Sequence, residues 1–154
     1  MDHPAPTQAR ARSSGSEHDE ERGIEGLYDH LSTLIPQMAA HGINVILNTV
    51  VMRDNMDHII PIAYKAREWG AKVSFSCYSD FKNGNVLHLI DPDHIDQVEQ
   101  VIENLLALKP KLGNIISSDF FLRGIPDYFK NNMPSTCNVA GKWLVQLTPD
   151  GDIK

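Results

Sequence analysis

The residues of this sequence whose types and spacing could support chemistry are few. The chain of 154 residues contains only two cysteines, Cys77 and Cys137. Two cysteines far apart in the chain are too few for a disulfide framework. His58, His88 and His94 do not have the His-x-x-x-His spacing with a nearby acid that a zinc enzyme uses, and we interpret them as surface residues.

Polar residues near the carboxyl ends of two predicted strands are the better candidates for a site. Asn48 interrupts the apolar run 43–52, and Cys77, Tyr78 and Ser79 end the next apolar run. Barrel enzymes place functional groups at the carboxyl ends of their strands. A buried amide must be hydrogen-bonded, so we expect a polar partner opposite Asn48, either a ligand or a neighbouring strand or loop. The alternative for the other three residues is an ordinary strand exit, with Cys77 as a small apolar residue.

The stretch that positions these residues, 43–77, has the pattern strand, helix, strand. Residues 43–52 form a nearly continuous β-branched run, typical of a strand covered on both faces. Residues 56–69 carry apolar side chains close to the helical period, and Gly70 follows as a helix stop. Two strands joined by a helix are parallel, with a right-handed crossover. The sequence therefore predicts an α/β fold.

Three further helices are expected around this unit. One begins near Gly23 and contains Pro36, a second runs from the capping pair Asp91-Pro92 to about residue 110, and a third begins at Ser117/Ser118. We expect Pro126 to break or shorten the third helix. A strand at 142–147 and a turn at 148–151 are predicted near the end of the sequence, and residues 1–17 have a composition typical of disorder.

Charge and hydropathy exclude several classes of function. The net charge of −6 and the pI of about 5.5 argue against a nucleic-acid or anionic-membrane partner, which would require a basic patch. No apolar run approaches the roughly 20 residues of a membrane span, and the first residues lack the apolar region of a secretory signal. We therefore expect a cytoplasmic protein.

Three motifs, in this order, resemble those of radical S-adenosylmethionine enzymes. The segment 18–29 has the pattern His-Asp-x-x-Arg-Gly-x-x-Gly-x-Tyr-Asp, which is similar to the segment after the fourth barrel strand of that family. The strand 45–52, with Asn48 and then Asn55, is similar to the fifth strand. Cys137-x-x-x-Gly141 and Pro149-Asp150-Gly151 resemble the start of a SPASM-type C-terminal extension.

The resemblance implies the later half of a partial parallel (β/α) barrel at 18–116 and a truncated SPASM-like extension at 117–154. Residues 1–17 are then either disordered or an aberrant start, since the fourth-strand serine of the family has no counterpart there. The family's Cys-x-x-x-Cys-x-x-Cys motif, which holds the [4Fe–4S] cluster, is absent from the sequence. The Gly-Gly-Glu-like stretch that binds the methionine amine is absent as well.

The resemblance also assigns roles to individual residues. Arg22 matches an arginine that contacts the carboxylate or ribose of S-adenosylmethionine, and its alternative is an ion pair with a nearby glutamate, Glu20 or Glu25. Asn48 matches a cofactor-facing position, and the segment 77–79 matches a segment that contacts the adenine. Cys137 matches the first thiolate of an auxiliary iron–sulfur cluster. One thiolate cannot hold a cluster that needs four ligands, so the alternative is a free thiol.

Two functions follow as hypotheses. The first is a fragment of a radical S-adenosylmethionine enzyme acting on a peptide or other biomolecule, inactive alone because the cluster cysteines are missing. S-adenosylmethionine and a [4Fe–4S] cluster are the cofactors of that family, and we expect this chain alone to hold neither. The second hypothesis is a non-catalytic interaction module that docks through strand edges and the aromatic helix 120–129, with self-association through exposed strand edges. A phosphate-binding half barrel is a weaker third idea, because neither strand is followed by a glycine-rich loop.

Overall fold

Two parallel strands and the helices packed on them make up most of the molecule. The computed structural model describes residues 15, 17–20, 22–80 and 84–131. The expected α/β class is confirmed. The elements in chain order are α1 (Leu27–Ala40), β1 (Ile46–Val51), a 3₁₀ helix (Arg53–His58), α2 (Ile59–Glu68), β2 (Lys72–Cys77), a short 3₁₀ helix (Pro92–His94), α3 (Ile95–Leu112) and α4 (Asp119–Asn131).

The strands lie side by side in chain order. β1 pairs with β2 in parallel, with Ile46 opposite Lys72 and Val51 opposite Cys77. A third segment lies on the far side of β2, where Ile115 forms a parallel bridge with Val73. The amide of Ile116 donates to the carbonyl oxygen of Val73 at 2.9 Å. The order of the β segments in space is therefore the order in the sequence.

The two faces of this small sheet differ sharply. Val51, Val73 and Phe75 lie on one face and are fully or almost fully buried. They share one apolar core with α2, α3 and α4. On the other face, which we call the open face, Ile46 and Asn48 are exposed and Val50, Ser74 and Ser76 are half-buried. The expectation that β1 is covered on both faces is therefore wrong, because its alternate side chains point away from the helices.

Helix α3 supplies the central part of the core. Its buried residues recur at the helical period on one side of the helix. The helix ends at Gly113, which has a φ of 70° and donates its amide hydrogen to the carbonyl of Lys109 at 2.9 Å. That left-handed conformation is the usual way to end a helix, and glycine adopts it without strain. The buried residues of α3 are Ile95, Val98, Ile102, Leu105 and Leu106.

Helix α4 begins as expected but does not end where we expected. The hydroxyl oxygen of Ser118 accepts the amide hydrogen of Phe121 at 3.1 Å, which confirms the predicted cap. Pro126, however, lies buried inside a helix that continues to Asn131. The helix tolerates the missing amide donor because Ile125 and Phe129, on either side of the proline, pack into the core.

Some expectations concern residues that the structure does not describe. The strand at 142–147, the turn at 148–151, Cys137 and the disorder of residues 1–14 lie outside the described residues. Residues 15, 17–20 and 22 are helical. The expected boundary between 116 and 117 falls between two elements that share a core, because Leu122 and Ile125 of α4 pack with the residues of α3.

The start of α1 is held by a carboxylate from outside the helix. Both oxygens of Asp19 accept backbone amide hydrogens, from Gly26 and from Tyr28, each at 2.8 Å. These hydrogen bonds, first of all the one from Tyr28, hold the pKa of Asp19 below its ordinary value. Asp19, the second residue of the His-Asp motif, therefore serves to cap α1 from a distance.

We expect α1 to loosen in acid before the core does. Because the pKa of Asp19 is lowered on folding, its stabilising contribution is complete above the ordinary aspartate pKa and is lost as the pH falls through the lowered value. Hydrogen exchange of the α1 amides, measured between neutral and acidic pH, tests this expectation. Asp19→Asn should exchange faster at neutral pH and show less acid dependence. A variant with the same pH profile as the wild type would contradict the assignment.

Candidate functional site at the carboxyl ends of the strands

Asn48 lies on the open face and is hydrogen-bonded to β2. Its Nδ2 donates to the Oγ of Ser76 at 3.3 Å, and its Oδ1 accepts from the Oγ of Ser74 at 3.1 Å. The side chain is exposed, so our premise of a buried amide is wrong, although the polar neighbour does exist. An asparagine amide has two N–H groups and two lone pairs, so Asn48 keeps one of each for a further partner.

Cys77 faces the opposite side of the sheet. Its side chain is half-buried and packs against the core. Burial raises the pKa of its thiol to about 12. Cys77 and Asn48 therefore do not point toward the same space, and the raised pKa of the Cys77 thiol disfavours the thiolate form that a nucleophile or a metal ligand requires.

A labelling experiment checks the state of Cys77. In a Cys137→Ser background, we expect Cys77 to react with a thiol reagent at neutral pH roughly a thousandfold more slowly than an ordinary cysteine, because the raised pKa leaves that much less thiolate. In denaturant its rate should equal that of a free thiol. Fast labelling of the folded protein would contradict this placement.

Tyr78 joins three elements at the carboxyl end of the sheet. Its amide donates to the carbonyl of Val51 at 3.0 Å, and its own carbonyl accepts the hydroxyl hydrogen of Tyr128 at 3.2 Å. Its hydroxyl donates to the carbonyl of Asn85 at 2.9 Å. The side chain is therefore used structurally, and Ser79, also half-buried, follows it at the edge of the sheet.

Arg22 is an exposed helical residue just before α1. Within the described residues it forms no ion pair with Glu20 or Glu25, so the alternative of a local ion pair is not realised. Its guanidinium remains available to solvent.

A charged cluster beside β1 is the part of this region that sequence reasoning missed. Arg53 donates through Nη1 to the Oδ2 of Asp91 at 3.1 Å and through Nη2 to the carbonyl of Leu87, and its backbone amide donates to the carbonyl of His88 at 3.1 Å. The Nδ1 of His88 hydrogen-bonds the Oδ2 of Asp54. These contacts fix the loop 84–91 against the turn that follows β1.

The sequence showed one half of this cluster, although nothing in it connects that half to His88 or Asp91. Arg53 and Asp54 directly follow a strand, which is the position where α/β proteins place polar groups that meet a ligand. Chemically, a histidine paired with a carboxylate can accept or donate a proton. Among the described residues there is no group of three or more His, Cys, Asp or Glu side chains that could hold a metal ion.

Asn55, which the family resemblance also singled out, closes the turn after β1. Its Nδ2 donates to the carbonyl of Val50 at 2.7 Å, and its Oδ1 accepts the amide hydrogen of Met52 at 3.1 Å. Both hydrogen bonds satisfy backbone groups at the end of a strand, so Asn55 positions the carboxyl end of β1.

In the described part of the chain, no helix has the length and the apolar character that crossing a membrane requires.

Comparisons with known proteins give no match. No protein-family model, no curated protein and no solved structure matches this sequence.

Proposed function

We propose that this chain forms one side of a radical S-adenosylmethionine barrel and presents the open face of its sheet to the cofactor. The observation that carries the proposal is the arrangement of β1, β2 and the segment at Ile115, which are parallel neighbours in chain order. The helices α2, α3 and α4 share one core with one face of this sheet. A (β/α) barrel has this arrangement, with helices outside and the other face of the sheet inside.

The polar groups of the open face are those that a nucleoside would meet. Asn48, Ser74 and Ser76 form a hydrogen-bonded row across both strands and are accessible to solvent. The spare donor and acceptor of Asn48 suit the heteroatoms of an adenine or a ribose. Tyr78 and Ser79 lie farther along, at the carboxyl end where barrel proteins bind their ligands.

The [4Fe–4S] cluster of the family does not fit this chain. Such a cluster takes thiolates as its ligands, usually four, and the sequence has two cysteines. The thiol of Cys77 packs against the core, and burial raises its pKa to about 12, which disfavours the thiolate that a cluster ligand must supply. We therefore expect no cleavage of S-adenosylmethionine by this chain alone.

Titration with S-adenosylhomocysteine, followed by NMR or calorimetry, tests the proposal. We expect weak, saturable binding by the wild type, with shifts centred on β1 and β2. Asn48→Ala should weaken binding about fivefold, as the loss of one or two hydrogen bonds predicts. Asn104→Ala is the matched control, since Asn104 is an exposed residue of α3 whose side chain, in the described part of the chain, bonds Gln100 of the same helix and no other residue. Absence of binding, or equal binding by Asn48→Ala and the wild type, would overturn the proposal.

Anaerobic reconstitution with iron and sulfide tests the expected loss of cluster chemistry separately. We expect no stoichiometric [4Fe–4S] absorbance from the chain, because its donor set is too small. A stoichiometric cluster would show that the cysteines do assemble one, and the assignment of Cys77 to the core would then be wrong.

A second candidate function rests on two aromatic residues of α4. Phe120 is 90% exposed and its neighbour Phe121 is 40% exposed, while the opposite side of the same helix is buried. Adjacent exposed aromatics favour a protein-binding surface. This interaction module predicts cooperative thermal unfolding together with no saturable binding of S-adenosylhomocysteine, which separates it from the first candidate.

A further inference from the structure

The outer edge of β1 carries backbone groups that point away from β2. The amide of Lys72 donates to the carbonyl of Val45 at 2.9 Å, and the amide of Tyr78 donates to the carbonyl of Val51 at 3.0 Å. In a parallel ladder every second residue directs both its N–H and its C=O to the neighbouring strand. The odd-numbered residues of β1 therefore face β2, and Ile46, Asn48 and Val50 direct their peptide groups outward.

Among the residues that the structure describes, most of these outward groups have no partner. The carbonyl of Val50 accepts the Nδ2 of Asn55 at 2.7 Å. Within the described residues, the outward amides and carbonyls of Ile46 and Asn48 form no hydrogen bond. The run 43–52 contains no charge and no proline, which are the features that usually protect an exposed edge from pairing.

The edge is also complementary to itself. If two copies of β1 lie antiparallel with Asn48 opposite Asn48, Ile46 of each copy lies opposite Val50 of the other. The outward groups of all three residues then face those of the other copy, whereas a shift by one pair leaves one residue of each copy unpaired. The carbonyl of Val50, which already accepts the Nδ2 of Asn55, accepts a second hydrogen bond in this register, as its two lone pairs allow. In this register the apolar side chains of Ile46 and Val50 meet across the strands on the open face, and the two Asn48 amides meet each other.

We propose that the outer edge of β1 is a dimerisation site whose occupant is β1 of a second copy of this chain, antiparallel and centred on Asn48. The contact is isologous, so it closes at two copies. It does not rest on the proposed binding of S-adenosylmethionine, because the backbone groups of the edge form its hydrogen bonds, with the Asn48 side chains at its centre.

Sedimentation equilibrium over a range of concentrations tests the dimer. We expect the wild type to dimerise and Asn48→Pro to remain monomeric, because proline removes an outward N–H without removing a bond of the β1–β2 ladder. Ile46→Lys, which places a charge at the edge, should weaken dimerisation at least tenfold and serves as the second variant if the proline disturbs folding. Asn104→Lys is the control, since it adds the same charge at an exposed residue of α3, outside the β1 edge. A wild type that is monomeric throughout, or an Asn104→Lys effect as large as that of Ile46→Lys, would overturn the proposal.

Cysteine cross-linking tests the register. In a Cys137→Ser background, Asn48→Cys should form a disulfide-linked dimer under mild oxidation, because hydrogen-bonded antiparallel pairs place their Cα atoms about 5.5 Å apart, within disulfide range. Ile46→Cys should not, since the two copies of residue 46 lie well apart in this register. Cross-linking of Ile46→Cys at the rate of Asn48→Cys would overturn the antiparallel arrangement centred on residue 48.

Discussion

Replacing Leu105 with alanine is expected to lower the free energy of unfolding by about 2–5 kcal/mol, the range for a fully buried leucine. Leu105 has no exposed surface and lies on α3 in the middle of the core. Because its neighbours come from several elements, the space left by the truncated side chain cannot be filled by a local movement. Urea denaturation followed by circular dichroism measures the change.

Leu87→Ala is the matched control for that experiment. Leu87 is 66% exposed in the loop 84–91, so the same truncation there should change the free energy of unfolding by about 0.5 kcal/mol or less. Similar losses from the two variants would mean that the core described around α3 is not the one that stabilises the protein in solution.

The second large effect is expected at Gly70, which follows α2. Gly70 has a φ of 70°, and a Cβ added there would lie 2.9 Å from the Cβ of Ala39 on α1. Gly70→Ala should therefore cost about 1–2 kcal/mol for the left-handed backbone and more for displacing α1. Thermal or urea unfolding of the variant gives the loss in stability.

Gly113→Ala separates the two causes. Gly113 has the same φ of 70°, but an added Cβ would meet nothing within 4 Å. This variant should show only the backbone cost, and the difference between the two variants then measures how firmly α1 is packed at the end of α2. Equal losses would mean that α1 can shift away without cost.

The sequence was a good guide to the elements whose patterns are purely local. A parallel α/β unit was predicted from the apolar run 43–52, the helical period up to Trp69 and the helix stop at Gly70. The Ser118 cap was equally predictable, because serine is a preferred residue just before the first turn of a helix, where its hydroxyl oxygen accepts a backbone amide hydrogen. In each case a few neighbouring residues determine the outcome.

Features that depend on packing between distant elements were not predictable. The apolar character of β1 suggested burial on both faces, but the helices cover only the face that carries Val51. Pro126 was expected to break or shorten its helix, but the helix continues through this buried proline to Asn131. The Asp54–His88 pair joins residues on a turn and a loop far apart in sequence, and no spacing rule connects them.

The hydrogen bond of the Tyr128 hydroxyl couples the exposed aromatic residues of α4 to the carboxyl ends of the strands. It donates to the carbonyl of Tyr78, so the last turn of α4 is attached to the carboxyl end of β2, while Phe120 and Phe121 lie exposed at the first turn of the same helix. A protein that displaces α4 when it binds Phe120 and Phe121 must stretch the hydrogen bond between Tyr128 and Tyr78. A ligand bound at the strand ends would resist that displacement. The two surfaces would then be thermodynamically linked, and each partner would change the affinity for the other by the same factor.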